Sequence, residues 1–538
     1  MTKKSIYFST LLLTALAFSS CASDDTATDK TAGKDTPKTG TVFSSDVEPA
    51  TRTSATYTGS GLDFYWTAND KIWVKDDNNT YHRSSEDDIA SRIAAVPGST
   101  TTAKAKFWVN GKYTGSTHKV RYTGNSGASD KVIIKASQTQ NTPNDAAHIA
   151  EDGDFGVADA TGSGKYSFTL NHKAAYVTFM PYTAQGVIAG AKLQKIRIYT
   201  DNTSDQLAGT FDLADNGSLS NGVTTSNSVE LKVKNFSIPN IPTYAMNAAT
   251  IVIKPGTYSN LKIEYTLFDA ETSVTGTITK TYPSVTFDAG KNTPVKTDLQ
   301  VTVYPAIKFY MWDAQNNFWS GHEWGTGANV WQPSPYGRDN PNYPKPGDPL
   351  NRYYNNMKGY DDYTGLSPAV TPSSIHFQDL PNVNELLWYA KKGDPHWDNN
   401  VLWATMGHLY KSGMWLLKSS KIPNFDKNHA PDETVDYTKS TTIASYVAPT
   451  GYVKSGQPSN IGDYFFLPSF GETTYNGYWR NAMIEGSYWS KTPIPSGFNN
   501  SYRINLRKTD ISVYTDYRNV AKPLFRSSFE DEYRPIGL

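Results

Sequence analysis

In several runs before residue 305 the chain alternates apolar and polar side chains with a period of two. This pattern constrains the fold more than any other feature. In Tyr166-Ser-Phe-Thr-Leu170 the large residues fall on one side and the hydroxyls on the other. Ile196 and Ile198 alternate with Lys195 and Arg197. Leu261, Ile263, Tyr265 and Leu267 alternate with Lys262, Glu264 and Thr266, and Leu299, Val301 and Val303 alternate with Gln300 and Thr302. Successive side chains of a strand point to opposite faces, so the pattern predicts antiparallel sheets with one wet face. Turn signals punctuate the runs at Asp76–Asn79, Asn110-Gly111, Asn216-Gly217, Asn221-Gly222 and Pro255-Gly256. No amphipathic helix longer than two turns stands out before residue 305. Two β-sandwiches are expected, with a break near Pro181 to Gly190.

Composition divides the chain again. Only Trp66, Trp73 and Trp108 precede residue 300, whereas the other tryptophans fall between Trp312 and Trp489. Tyr304-Pro305-Ala306 is the natural hinge. Lys and Arg total 51 and Asp and Glu total 51, so the formal charge is zero and no basic patch points to nucleic acid. Cys21 is the single cysteine, which excludes a disulfide and a CxxC metal site.

The N-terminus has the layout of a secretory signal: Lys3 and Lys4, an apolar run from Ile6 to Phe18, then Ser19-Ser20-Cys21. The run is too short to span a bilayer. Ser19-Ser20-Cys21 resembles a bacterial lipobox, although Phe18 departs from the usual aliphatic residue. The resemblance implies acylation of Cys21, and two acyl chains anchor stably where one does not. Asp24 and Asp25 resemble the surface-export signal of Bacteroidales-type lipoproteins. The Thr-, Asp-, Lys- and Gly-rich stretch from Asp24 to Gly40 reads as a tether.

Further motifs resemble the fimbrillin family of type V pilus subunits: Thr51–Tyr57, Leu62–Trp66, Asn69–Val74, Tyr166–Phe179, Phe287–Val295 and Leu299–Val303. They cover roughly residues 50 to 304. The resemblance implies a surface lipoprotein cut by a trypsin-like protease after Arg52, so that Thr53 becomes the new N-terminus. The lipidated leader leaves with its first β-strand, to which Thr41-Val-Phe43 belongs. The vacated groove then takes a donor strand from another subunit by β-augmentation. His172, within these motifs, reads as a structural strand residue.

In the C-terminal part, Asn382-Val-Asn-Glu385 has capping-box spacing, and Val383, Leu386, Leu387 and Ala390 form one apolar stripe. Lys391 and Lys392 fill the last turn, and Gly393 is a natural stop. Val401–Gly407 and Met414–Leu417 suit buried elements. The runs Tyr464–Ser469, Gly486–Lys491, Tyr502–Leu506, Val513–Tyr517 and Pro523–Arg526 resemble the closing half of C-type-lectin-like modules. That resemblance implies a small α+β domain with its binding surface on long loops. Trp319, Trp324, Trp331 and Tyr336 are the candidate ligand-contact aromatics, with Trp312 beside them. Gln332-Pro333-Ser334, Gln457-Pro458-Ser459 and Trp397-Asp398-Asn399 are incomplete as sugar-lectin calcium runs, so no metal or cofactor is expected and calcium is left open. No Ser-His-Asp signature, HExxH or phosphate loop appears, and Glu472 and Glu485 are two scattered carboxylates. Catalysis is not expected.

The expected fold is mainly β. It runs as a signal peptide with lipobox (1–21), a tether with a removable leader strand (22–52), two fimbrillin-like sandwiches (53–180 and 181–305) and a C-type-lectin-like adhesin domain (306–538). The leading reading is a pilus tip adhesin whose precursor is an outer-membrane lipoprotein at the cell surface. Its partners would be other pilus subunits and a glycan or protein ligand. The alternatives are a glycan-binding lipoprotein that stays anchored and a non-adhesive stalk or anchor subunit. Phe529–Leu538 is charged and holds Pro535, which makes a poor donor strand. The chain is therefore expected to accept a strand and not to give one.

Overall fold

The computed structural model describes residues 38–45, 54–186, 188, 190–304, 308–327, 330–333, 342–354, 372–431, 434–494 and 500–525. Contacts divide the chain into Met1–Thr39 and Gly40–Leu538, and every sheet belongs to the second unit. The fold is mainly β, as the alternation predicts. Before residue 305 the described helices are one or two turns long, Ile89–Ala94 being the longest.

The first sheet is built almost entirely from residues before 168. Its strand order is Tyr81–Arg83, Trp73–Lys75, Thr117–Tyr122, Gly156–Ser163, Lys165–Ser167, Thr41–Ser44, Lys106–Val109, Glu86–Asp87. Phe43, Trp66, Val74, Phe107, Tyr122 and Tyr166 lie in its core. All but Trp66, which follows the Leu62–Tyr65 strand of a separate two-stranded sheet, sit on strands of this sheet with their side chains inward, which is why the period of two translates into burial.

A second core joins three sheets. The largest runs Ser137–Gln140, Ser228–Ser237, Ala191–Tyr199, Gly256–Asp269, Val274–Phe287. The others are Ala249–Ile253, Ala175–Tyr182, Asn292–Asp298 and Leu219–Ser226, Ala208–Leu213, Lys131–Ile134. Lys131–Ile134, Ser137–Gln140 and Ala175–Tyr182 therefore pair with strands that come after residue 190. The sheets cross the division expected at residues 180 and 181.

The third core is aromatic and holds the C-terminal part. Thr302–Val303 runs parallel to His396–Thr405, which pairs in turn with His408–Leu417 and then Tyr464–Pro468. A second sheet orders Tyr446–Val447, Ile511–Tyr517, Asn500–Arg507, Glu485–Pro493. The helix Val383–Lys392 carries the expected capping box: Glu385 N donates to Asn382 Oδ1 at 3.0 Å, and Asn382 N donates to Glu385 Oε2 at 2.8 Å. Gly393 stops it differently from a left-handed cap. Its φ is −81°, and a Cβ there would lie 2.2 Å from Tyr389 O. Glycine is required for space, and the left-handed residue is Asp394 at φ 44°.

The second and third regions meet on a buried carboxylate. Asp269, at the end of its strand, accepts from Leu409 N at 3.0 Å and faces His408 Nδ1 at 3.1 Å. Thr272 Oγ1 donates to Leu409 O at 2.7 Å. With Thr302–Val303 already inside the C-terminal sheet, the chain passes from one region to the other under several constraints.

Candidate strand-acceptor groove and ligand surface

Thr41–Ser44 is an interior strand. It runs antiparallel to Lys106–Val109, with Phe43 opposite Phe107, and parallel to Lys165–Ser167, with Phe43 opposite Tyr166. Both edges are satisfied past its end: Phe168 N donates to Ser44 O and Ser45 N to Ala105 O, each at 2.9 Å. Gly40 leads it in at φ +114°, where a Cβ would lie 2.9 Å from Val109 O.

Phe43 is fully buried in a box of rings. It stacks on Tyr166 with centroids 5.0 Å apart and planes at 14°, and meets Tyr113 edge-on at 5.1 Å. His118 closes the third side at 6.4 Å. Two residues on, Ser45 Oγ accepts from Trp66 Nε1 at 2.7 Å and from Ala105 N at 3.3 Å. Trp66 is itself fully buried, so Ser45 satisfies an indole N–H that water does not reach.

Cys21, Arg52, Thr53 and Tyr336 lie outside the described residues. Arg52 belongs to the 46–53 connection between Thr41–Ser44 and the Ser54–Tyr57 strand.

The other three candidate aromatics part company. Trp319 is 2% exposed and belongs to the core beside Phe318, so it packs instead of presenting a face. Trp331 is half-buried and covered by His322, with ring centroids 3.4 Å apart at 15°. Trp324 is 45% exposed and lies over Gly407. Tyr475 and Tyr478, 55% and 37% exposed, were not singled out from sequence. They flank the Asn476-Gly477 turn between Glu472–Thr473 and Trp479–Arg480, and Tyr343 meets Tyr475 edge-on. Two aromatics around an Asn-Gly turn were the available signal.

Glu472 and Glu485 each meet guanidinium groups. Arg480 reaches Glu472 at 2.6 Å, Arg503 at 3.3 Å, and the buried Lys522 also pairs with it. Asp516 sits 2.8 Å from Lys522 and 3.2 Å from Arg503. Burial pushes the Glu472 carboxyl up, but Lys522, Arg503 and Arg480 outweigh this and hold it down at about 2. Glu485 pairs with Arg507 at 2.6 Å. His172 Nδ1 lies 2.9 Å from the buried Asp154, and Phe64 stacks on its ring at 4.1 Å. Among the described residues no group of three or more His, Cys, Asp or Glu could hold a metal ion. None of their helices is long and apolar enough to cross a membrane.

No protein-family model and no curated protein matches the chain. Among solved structures it is similar to a candidate cell adhesion protein from Bacteroides ovatus at 15% identity, over 44% of this chain and 85% of that one, with a TM-score of 0.28. A candidate cell adhesion protein from Bacteroides uniformis gives 14% identity over 44% and 88%, with a TM-score of 0.28. A fimbrial protein from Bacteroides ovatus gives 12% identity over 86% and 94%, with a TM-score of 0.20.

Proposed function

We propose that this chain is the tip adhesin of a type V pilus. Its precursor is a surface lipoprotein acylated at Cys21. A protease cuts after Arg52, the leader leaves, and a strand from another pilus subunit takes its place. Residues 306–538 contact the ligand, a glycan or protein, and Trp324 is the candidate aromatic that keeps an open face among the described residues.

One observation carries the reading. Thr41–Ser44 is paired on both edges, yet it is joined to the rest of its sheet only through residues 46–53, the segment that holds Arg52. A single cut there would convert an intramolecular strand into a non-covalent occupant. Losing it would open one continuous groove between Lys106–Val109 and Lys165–Ser167, with main-chain groups free on both sides.

The test is made on purified pili. N-terminal sequencing of the incorporated chain is expected to begin at Thr53, and antibody to residues 306–538 is expected to label pilus ends only. An acylated Cys21 terminus in assembled pili would overturn the processing step. Label distributed along the shaft would overturn the tip assignment.

A further inference from the structure

The groove that would receive the incoming strand is already shaped, and its shape is chemically selective. We infer that it reads a two-position code: an aromatic side chain, followed two residues later by a small hydroxyl residue. This rests on the strand-exchange reading above and names the partner: an extended segment of another polypeptide that carries this pair.

The first position is the ring box. Its walls are pinned by bonds that do not involve the leader strand. Tyr166 Oη donates to Gly115 O at 2.8 Å and to Tyr113 O at 3.2 Å. Tyr113 Oη donates to Asn110 O at 3.3 Å and Val74 O at 3.4 Å. His118 Nδ1 lies 3.2 Å from Lys75 O. All these partners are downstream of residue 53, so the box keeps its walls when the leader departs. Its depth suits a flat ring, because Phe43 fills it with a stacked face on Tyr166 and an edge on Tyr113. An aliphatic residue loses the ring–ring geometry, and alanine leaves a void that the tethered walls cannot close.

The second position is set by unmet donors. Without Ser45, the Trp66 indole N–H and the Ala105 N–H both lose their acceptor. Trp66 and Ala105 are fully buried, so water does not replace it cheaply. The seat therefore demands an acceptor oxygen on a short side chain. Ser and Thr meet this; Ala lacks the oxygen; Val and Leu lack it and add bulk. Spacing is fixed as well, since inward-facing positions of a strand recur every second residue.

The experiment uses the full chain with a site-specific protease sequence inserted in the 46–53 connection. After cleavage, the leader is released in mild denaturant, its loss is confirmed by native mass spectrometry, and the protein is challenged with fluorescent peptides of sequence Thr-Gly-Thr-Val-Phe-Ser-Ser-Asp, which is residues 39–46, and with variants. The parent peptide is expected to exchange in. Replacing its Phe by Ala is expected to weaken binding at least ~50-fold, and by Tyr only a few-fold. Replacing the Ser equivalent to Ser45 by Val is expected to cost at least ~10-fold, and by Thr little. Because only the peptides vary, folding of the protein is the same in every arm. If the parent binds and the Phe→Ala and Ser→Val peptides bind equally well, the code is wrong while strand exchange stands. If no peptide, the parent included, enters the cleaved protein, strand exchange and the code fall together.

Discussion

Trp66 Nε1 donates to Ser45 Oγ at 2.7 Å, joining two residues that lie on opposite sides of Arg52. With the Phe43 ring box and two sets of main-chain bonds, this contact would hold the leader after the backbone is cut. Under the proposed processing, cleavage and release would therefore be separate events.

The first prediction concerns that separation. A chain cut within 46–53 keeps its leader, seen by native mass spectrometry as an intact non-covalent pair. Phe43→Ala removes a fully buried ring worth about 3–5 kcal/mol. The cut variant should lose its leader spontaneously, and the uncut variant should unfold at lower denaturant. A leader that dissociates from the cut parent as fast as from the cut Phe43→Ala chain would refute the account.

Anchoring and processing are tested upstream. Cys21→Ala should abolish incorporation of labelled palmitate, since no other thiol exists in the chain. Arg52→Ala should leave acylation intact and keep the chain out of pili. Incorporation of the Arg52→Ala chain at the normal level would reject the cut site.

The Glu472 cluster predicts a pH dependence. The folded carboxyl sits at about 2 against an ordinary value of 4.5. A depressed carboxyl stabilises fully above its unfolded value, and that stabilisation fades as pH falls from about 4.5 towards about 2. Glu472→Gln leaves Lys522 with one carboxylate fewer in a site with no solvent exposure. The expected cost is about 3–5 kcal/mol at pH 7. It should shrink steadily below pH 4.5 in denaturant titrations run alongside the parent. A pH-independent difference would mean the ion pairs are not what Glu472 contributes.

The aromatics give a fourth comparison. Trp319→Ala should destabilise by about 3–5 kcal/mol, because the indole is core. Trp324→Ala should change stability by under about 1 kcal/mol, because its face is open. On a glycan array Trp324→Ala should lose signal at an unchanged melting temperature. Equal destabilisation by both substitutions would show that Trp324 packs as Trp319 does.

Much was legible in the residues alone. The period of two marked strands whose inward halves prove buried, among them Ile196, Ile198, Leu261, Ile263 and Leu267. Asn382 and Glu385 announced their capping box, because both bonds close within one helical turn. The fimbrillin resemblance implied a strand at Thr41-Val-Phe43, and Thr41–Ser44 is one.

What the sequence determined by itself was local: which residues alternate, where a helix starts, which segment carries the only thiol and which the candidate cut. These depend on neighbours a few residues apart. The tertiary structure decided everything that needs a partner. Alternation tells a strand which side is inward, but not which strand lies beside it. So it could not say that Lys131–Ile134, Ser137–Gln140 and Ala175–Tyr182 join strands beyond residue 190. It could not separate Trp319 from Trp324, since burial belongs to the packed loops and not to the side chain. Nor could it reveal the seat of Ser45, whose two donors are brought to one oxygen from Trp66 and Ala105 only when the sheet is assembled.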